Sequence, residues 1–209
     1  MENLTNVLVD LKEEEVKRII KEKIKAGEDP IKILESCRVG MTVVGDRFEK
    51  GEYFLPELLM AGEIFKEAVE LVKPTLIKPV QCIGRVVIGT VKGDVHDIGK
   101  NIVTSMLDGA GFEVHDIGID ASPEKFVEKT KEVNPQIVGM SGLITLSIES
   151  MKKTVDAIRA AGLRDKVKII LGGAPTDEIV CRYVEADAWA DDAVRGVRLC
   201  KEFIKEMIL

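Results

Sequence analysis

The sequence lacks a long apolar run and has few aromatic residues, which make up 4% of its 209 residues. No stretch approaches the ~20 consecutive apolar residues that a transmembrane helix needs. The first twenty residues carry EEE and mixed charges, where a signal peptide would have an apolar core. We therefore expect a cytoplasmic protein without membrane contact.

Basic clusters and closely spaced cysteines are also missing. The 30 Lys and Arg residues are interspersed among 36 Asp and Glu residues, for a net charge of -6. Nucleic-acid binding depends on a basic surface that neutralises phosphates, so we expect no nucleic-acid partner. The four cysteines, Cys37, Cys82, Cys181 and Cys200, form no C-x-x-C pair, which disfavours a zinc or redox motif and indicates reduced, mostly buried thiols.

In the first third of the sequence, apolar residues recur at the spacing typical of amphipathic helices. Three stripes of apolar residues, which begin at Val16, Leu34 and Leu55, predict a small helical bundle over residues 1 to about 74. Asp29 followed by Pro30 predicts the start of one helix, and Pro56 suits the first turn of another.

A segment bracketed by Pro74 and Pro79 is too short for a further element and cannot continue the helix. We place the domain boundary there, with a helical domain at residues 1–80 and an α/β domain at residues 81–209. In the second domain, β-branched runs at 85–91, 112–117, 136–141 and 167–171 alternate with helical patterns, followed by a fifth strand near 186–190 and a helix at 193–208. This alternation predicts a doubly wound, five-stranded parallel sheet.

In such a sheet, ligands bind beyond the carboxyl ends of the strands. The loop after the first predicted strand, GDVHDIG at residues 93–99, is a poor phosphate loop, because five residues separate its glycines where a P-loop has four. Asn101 also replaces the magnesium-binding hydroxyl, and two aspartates would repel a phosphate. G-x-G-x-x-G is absent, which disfavours a nicotinamide dinucleotide.

The same loop contains a candidate metal ligand. Asp94 and His96 are two residues apart, so in an extended loop their side chains point to the same side. The carboxylate can then hold one ring nitrogen and leave the other free for a metal. One histidine is too few for an all-protein zinc site, whereas a macrocycle that brings four nitrogens needs only an axial ligand. The loop alone leaves open that His96 is a solvated or helix-capping residue. We expect a structural or surface role for His115.

Three separated motifs together resemble a known family. D-x-H-x-x-G (Asp94, His96, Gly99), S-x-L (Ser141, Leu143) and GG (Gly172, Gly173) occur in the order and at the spacing of the cobalamin-binding domain of methionine synthase and the small corrinoid methyl-carrier proteins. VGDRFEKGEYFLPELL at residues 44–59 is similar to the helical cap segment of that family. The resemblance implies a flavodoxin-like α/β domain beneath a helical cap, and a corrinoid cofactor, cobalamin or another cobamide, with its cobalt.

The resemblance also implies roles for individual residues. His96 would be the lower cobalt ligand, and Asp94 and Ser147 would complete a proton relay with it. The nucleotide tail of the cofactor would pass Gly172 and Gly173. The other expected cofactor contacts are Val95, Asp97, Ile98, Gly99, Ser141, Leu143 and Thr145 below the ring and the cap residues Phe48, Leu55 and Leu58 above it. As alternatives, the hydroxyl residues cap a helix, the glycines form a turn and the cap residues are bundle core.

The implied function is that of a methyl carrier without a complete catalytic site of its own. Its partners would be a substrate-specific methyltransferase, an acceptor methyltransferase and a reductive activation protein. One alternative is the small subunit of an adenosylcobalamin mutase, which the helical cap disfavours. The other is a cobalamin-dependent sensor or regulator, for which no DNA-binding or signalling domain is recognised. The sequence does not name the methyl donor, the acceptor, the lower base of the cobamide or the oligomeric state.

Overall fold

The computed structural model describes residues 4–75 and 82–208, which form two compact units. The helical unit comprises the chain as far as Cys82 together with Asp108–Gly111, and the sheet unit comprises Ile83–Leu107 and the residues from Phe112 onward. Pro79 and the boundary predicted at residues 80 and 81 lie outside the described residues, so that boundary stays a prediction.

The described part of the helical unit contains four α-helices: α1 Leu4–Val9, α2 Glu13–Lys25, α3 Pro30–Glu49 and α4 Leu55–Val72. The three predicted stripes fall on α2, α3 and α4. Asp29 caps α3 as expected, because its side chain accepts a hydrogen bond from the amide of Ile31 at 2.9 Å. At α4 the cap residue is Phe54, whose amide donates to the Glu57 carboxylate at 2.8 Å. A six-residue helix such as α1 is too short to show a period in the sequence.

The sheet unit has five strands: β1 Arg85–Thr90, β2 Glu113–Asp116, β3 Ile137–Ser141, β4 Lys168–Gly172 and β5 Ala188–Ala190. They pair only in parallel, in the order β2-β1-β3-β4-β5. The helices are α5 Ile98–Gly109, α6 Pro123–Val133, α7 Ser147–Ala160, α8 Glu178–Val184 and α9 Ala193–Ile208. The predicted doubly wound sheet is confirmed, with strand ends within two residues of the predicted ones.

Apolar residues cover both faces of this sheet. Val87, Val138 and Leu171 share a buried cluster with Phe126 of α6 and Met151 of α7. On the other face, Ile204 of α9 lies against Gly84, just before β1. Because both faces are covered, the central strands β1, β3 and β4 read as nearly continuous apolar runs rather than alternating ones.

The remaining expectations from composition concern thiols and membranes. Cys37, Cys181 and Cys200 are free and buried. No helix within residues 4–75 and 82–208 is long and apolar enough to span a bilayer.

The packing of α6 leads to a stability prediction. Thr130 is buried, and its Oγ1 has no hydrogen-bond partner among the described residues. An unsatisfied buried hydroxyl costs free energy that an apolar group of the same shape avoids. We expect Thr130→Val to raise the free energy of unfolding by about 1 kcal/mol, measured by urea denaturation with an unchanged slope.

Thr154 of α7 is a matched control, because it is equally buried but its Oγ1 donates to the carbonyl of Ser150 at 2.8 Å. Thr154→Val removes a hydrogen bond that is made, so it should lower the free energy of unfolding by about 1 kcal/mol. If both substitutions shifted stability in the same direction, hydrogen-bond satisfaction would not explain the Thr130 effect.

Candidate functional site

The strand order places two loops side by side at one edge of the sheet. The order reverses between β1 and β3, and Thr90 at the end of β1 is level with Ser141 at the end of β3. The loop after β1, which contains Asp94 and His96, therefore meets the loop after β3. This is the position at which doubly wound sheets bind ligands.

Asp94 joins these two loops through its side chain. Its Oδ2 accepts hydrogen bonds from Ser147 Oγ at 2.6 Å and from the amides of Leu143 and Ile144 at 2.6 and 3.2 Å. Its Oδ1 accepts the amide of His96 at 3.0 Å. The carboxylate is only 1% exposed. Its buried charge is therefore compensated by donors from both loops.

These hydrogen bonds decide the protonation state of Asp94. Burial by itself raises the pKa of this carboxyl group, but the hydrogen bonds that it accepts, above all that from Ser147, hold its pKa well below the usual range. Asp94 is therefore an anion at neutral pH and can only accept hydrogen bonds.

His96 pairs with this anion through its ring. Its Nδ1 lies 2.7 Å from Asp94 Oδ1, and because the carboxylate can only accept, Nδ1 carries the proton. The hydrogen bond expected from the spacing of the two residues is thus present. Nε2 has no hydrogen-bond partner in the described ranges, and 51% of the side chain is exposed. Because Asp94 holds Nδ1, Nε2 is the ring nitrogen that the site presents to a metal ion.

The hydroxyl residues after β3 separate into two groups. Ser147 is the first residue of α7, is almost completely buried and gives its hydroxyl to Asp94, so it is not the cap of that helix. Leu146 is the cap residue and makes no side-chain cap bond. Ser141 is half-buried and Thr145 exposed, and neither side chain makes a hydrogen bond within residues 4–75 and 82–208.

The two glycines at the end of β4, Gly172 and Gly173, differ in whether the fold requires glycine there. Gly173 has φ +113°, and a Cβ there would lie 1.9 Å from the carbonyl oxygen of Gly142, so the fold itself requires glycine. Gly172 has no positive φ, and the nearest atom to an added Cβ would be the Ala190 oxygen at 3.9 Å. A Cβ at Gly99 would meet nothing within 4 Å. Among the described residues, no close contact and no positive φ requires glycine at Gly172 or Gly99.

Large apolar side chains on the loops that meet at this edge of the sheet, which we call the rim, are exposed. The expected contacts Val95, Ile98 and Leu143 are exposed, and two further ones, Ile119 and Leu146, were not anticipated from the sequence. Asp97 is half-buried and accepts a hydrogen bond from Asn101 at 3.1 Å. Several exposed apolar side chains on the loops that carry a few buried polar groups are typical of a ligand-binding surface.

The helical unit holds the expected cap residues Phe48, Leu55 and Leu58. Leu55 is 46% exposed, Phe48 is half-buried and Leu58 is 2% exposed. Exposed apolar residues also include Phe54, Leu59 and Met60 near the start of α4. The burial of Leu58 is that of a packing residue, whereas Leu55 lies in an apolar surface.

The remaining candidates do not add ligands. No group of three or more His, Cys, Asp or Glu side chains in the described part of the chain is placed to hold a metal ion. His115 lies on β2, where its Nε2 is 2.9 Å from the Glu113 carboxylate. His96 is therefore the candidate ligand, and it fits a metal that arrives with its other ligands.

Comparison with known proteins shows the family relationship of the chain. Models of the B12 binding domain match residues 84–198 and residues 1–73. The chain is 39% identical to the dimethylamine corrinoid protein of Methanosarcina barkeri over 207 residues, which cover 98% of this chain and 97% of that protein.

Solved structures show the same relationship. The crystal structure of a cobalamin-binding protein from Desulfitobacterium hafniense matches with a TM-score of 0.79 and 42% identity, covering 96% of each chain. The methanol:cobalamin methyltransferase complex of Methanosarcina barkeri matches with a TM-score of 0.88 and 26% identity, covering 97% of this chain and 78% of that chain. The chain therefore belongs to the family of corrinoid proteins built on the B12 binding domain.

Proposed function

We propose that this corrinoid protein carries a methyl group between methyltransferases, with His96 as the lower axial ligand of the cobalt. The observation that carries the proposal is the pair formed by the buried Asp94 carboxylate and His96, whose Nε2 is left free at the rim. When bound, the corrinoid supplies a cobalt ion that takes up a methyl group from one partner and gives it up to another.

The exposed apolar side chains of the rim are evidence that a large, flat cofactor binds next to His96. Val95 and Ile98 lie on either side of His96 in the sequence, and they are 62% and 67% exposed. Burial of such side chains against a macrocycle would be favourable, at roughly 25 cal/mol per Å² of apolar surface. Leu143 and Leu146 extend this apolar surface onto the loop after β3.

The free space beside two glycines is evidence for a second contact, between the protein backbone and the nucleotide tail of the cofactor. Since the fold does not require glycine at Gly172 or Gly99, the free space beside them suits a ligand that approaches the backbone closely. The hydroxyls of Ser141 and Thr145, which make no hydrogen bond within the described ranges, are suitable partners for polar groups of the tail.

Asp94 and Ser147 set the chemistry of the imidazole. The Asp94 anion fixes the proton on Nδ1, which orients the ring and raises the basicity of Nε2 toward a metal. Ser147, Asp94 and His96 form a continuous chain of hydrogen bonds, which would serve as the proton relay of the proposed carrier. Ser147 Oγ donates to Asp94 at 2.6 Å and so compensates the charge of the carboxylate.

For the helical unit we propose that Leu55 and Phe48 shield the upper face of the cofactor. The exposed apolar side chains near the start of α4 would offer the cofactor an apolar surface that excludes water. Leu58 would support this surface from within the unit.

The proposed partners are a substrate-specific methyltransferase, an acceptor methyltransferase and a reductive activation protein. The methanol:cobalamin methyltransferase complex is the structural precedent for the first of these. We also propose a cytoplasmic location, since three buried free thiols are the form that a reducing compartment maintains.

The carrier function predicts methylation of the bound cofactor by partner enzymes. The chain would be loaded with hydroxocobalamin, reduced with titanium(III) citrate and mixed with host extract plus dimethylamine, trimethylamine or methanol. We expect one donor to give the spectrum of a methylated corrinoid, and an acceptor, tetrahydrofolate or coenzyme M, to reverse it. Failure with every donor, together with adenosylcobalamin-dependent rearrangement activity, would instead identify a mutase subunit.

Axial ligation predicts a specific spectral change in a histidine variant. His96→Ala should still bind hydroxocobalamin through the tail contacts, but with the visible spectrum of a form that lacks a protein nitrogen. His115→Ala removes the other histidine of the chain, which pairs with Glu113, and should leave the spectrum unchanged. Identical spectra for His96→Ala and the wild type would refute ligation by His96.

The tail contact predicts an effect at Gly172 that appears only with cofactor. A Cβ at this position meets no protein atom closer than 3.9 Å, so Gly172→Ala should leave the stability of the cofactor-free protein nearly unchanged. With cofactor, overpacking of roughly 1–3 kcal/mol would weaken hydroxocobalamin binding roughly fivefold to a hundredfold. Binding is measured by equilibrium dialysis.

Gly162→Ala is the control for that experiment. Gly162 has φ +70° and open space around it at the end of α7, so the substitution strains the backbone away from the rim. It should lower stability without a change in affinity. Wild-type affinity in Gly172→Ala would show that the tail does not pass this residue.

A further inference from the structure

Thr90, the last residue of β1, is completely buried. It connects the sheet to the loop after β1 that contains His96, which we call the histidine loop. Its Oγ1 donates a hydrogen bond to the carbonyl oxygen of His96 at 3.0 Å. Its backbone bonds to the loop after β2, with its amide donating to Gly118 at 2.9 Å and its carbonyl accepting from Ala121 at 2.9 Å. Thr90 therefore links His96 both to β1 and to the loop after β2.

The same loop after β2 holds the start of the histidine loop. The amide of Asp120 donates to the carbonyl of Asp94 at 3.0 Å, and its carboxylate accepts from the amide of Gly93 at 2.8 Å. Lys92 pairs with this carboxylate at 2.9 Å. These contacts fix the backbone of Gly93 and Asp94 but do not reach His96, for which Thr90 provides the link from the sheet.

The peptide groups on both sides of the His96 Cα are thus held. The amide of His96 donates to Asp94 Oδ1 at 3.0 Å, and its carbonyl accepts from Thr90. With both peptide planes fixed, the direction of the Cα–Cβ bond is fixed as well. Asp94 then needs to orient only the ring. The strand does not depend on the hydroxyl for its pairing, because the ladder of β1 is formed by backbone groups.

We propose that Thr90 is a positioning residue for His96. The Thr90 hydroxyl holds the backbone of His96 so that its imidazole points toward the metal. The inference rests on the proposed axial ligation by His96. It adds a contact on the carbonyl side of His96 to the contact that Asp94 makes with the ring. Thr90→Val keeps the shape and removes the hydroxyl, and Thr90→Ser keeps the hydroxyl.

The first test is a double-mutant cycle with hydroxocobalamin affinity as the readout, measured by equilibrium dialysis. Loss of one hydrogen bond should lower the affinity of Thr90→Val about fivefold in the wild-type background. In the His96→Ala background the same substitution should change affinity less than about twofold, because the positioned group is gone. Thr90→Ser should retain wild-type affinity, and Thr154→Val, which removes another buried hydroxyl, should also retain it.

The second test needs no cofactor. In the unloaded protein, hydrogen exchange of the His96 amide is followed by NMR. Because this amide donates to Asp94, exchange reports the order of the loop. We expect about fivefold faster exchange in Thr90→Val, corresponding to one lost hydrogen bond, and no change in Thr154→Val.

The outcomes separate the inference from the proposal on which it rests. If His96→Ala alone leaves the cofactor spectrum unchanged, axial ligation fails. If His96→Ala changes the spectrum but Thr90→Val weakens binding equally in both backgrounds, Thr90 has only a structural role and the inference is overturned. Unchanged exchange of the His96 amide in Thr90→Val would overturn it as well.

Discussion

The site depends on one buried negative charge. A carboxylate that is 1% exposed must be matched by donors, and Asp94 draws them from its own loop, from the loop after β3 and from the first residue of α7. These donors come together because β1 and β3 are neighbours although they are not consecutive in the chain. The strand order thus creates the environment in which Asp94 stays ionised, and the ionised Asp94 decides the tautomer of His96.

The sequence predicted the central strands β1, β3 and β4 well because strands that are covered on both faces read as nearly continuous apolar runs. It predicted the pairing of Asp94 with His96 because a spacing of two residues settles the side on which both side chains lie. Short α1 was missed, since six residues contain less than two helical turns. The family resemblance, rather than residue spacing, pointed to Ser147.

Contacts that depend on the exact path of a loop were beyond prediction. Thr90 reads as a strand residue, and nothing in the sequence indicates that its hydroxyl meets a carbonyl six residues later. Asp120 has φ +49°, a conformation that a loop sequence does not reveal. The two glycines at the end of β4 could not be told apart from the sequence either. In the structure, the close carbonyl of Gly142 requires glycine at Gly173, whereas no described residue requires it at Gly172.

The exposed apolar side chains around His96 have a consequence for the life of the protein in the cell. Val95, Ile98 and Leu146 face water while the rim is uncovered, and clustered apolar surface of this kind favours self-association and recognition by chaperones. Cofactor binding would bury this surface and would therefore protect the protein against aggregation as well as against unfolding.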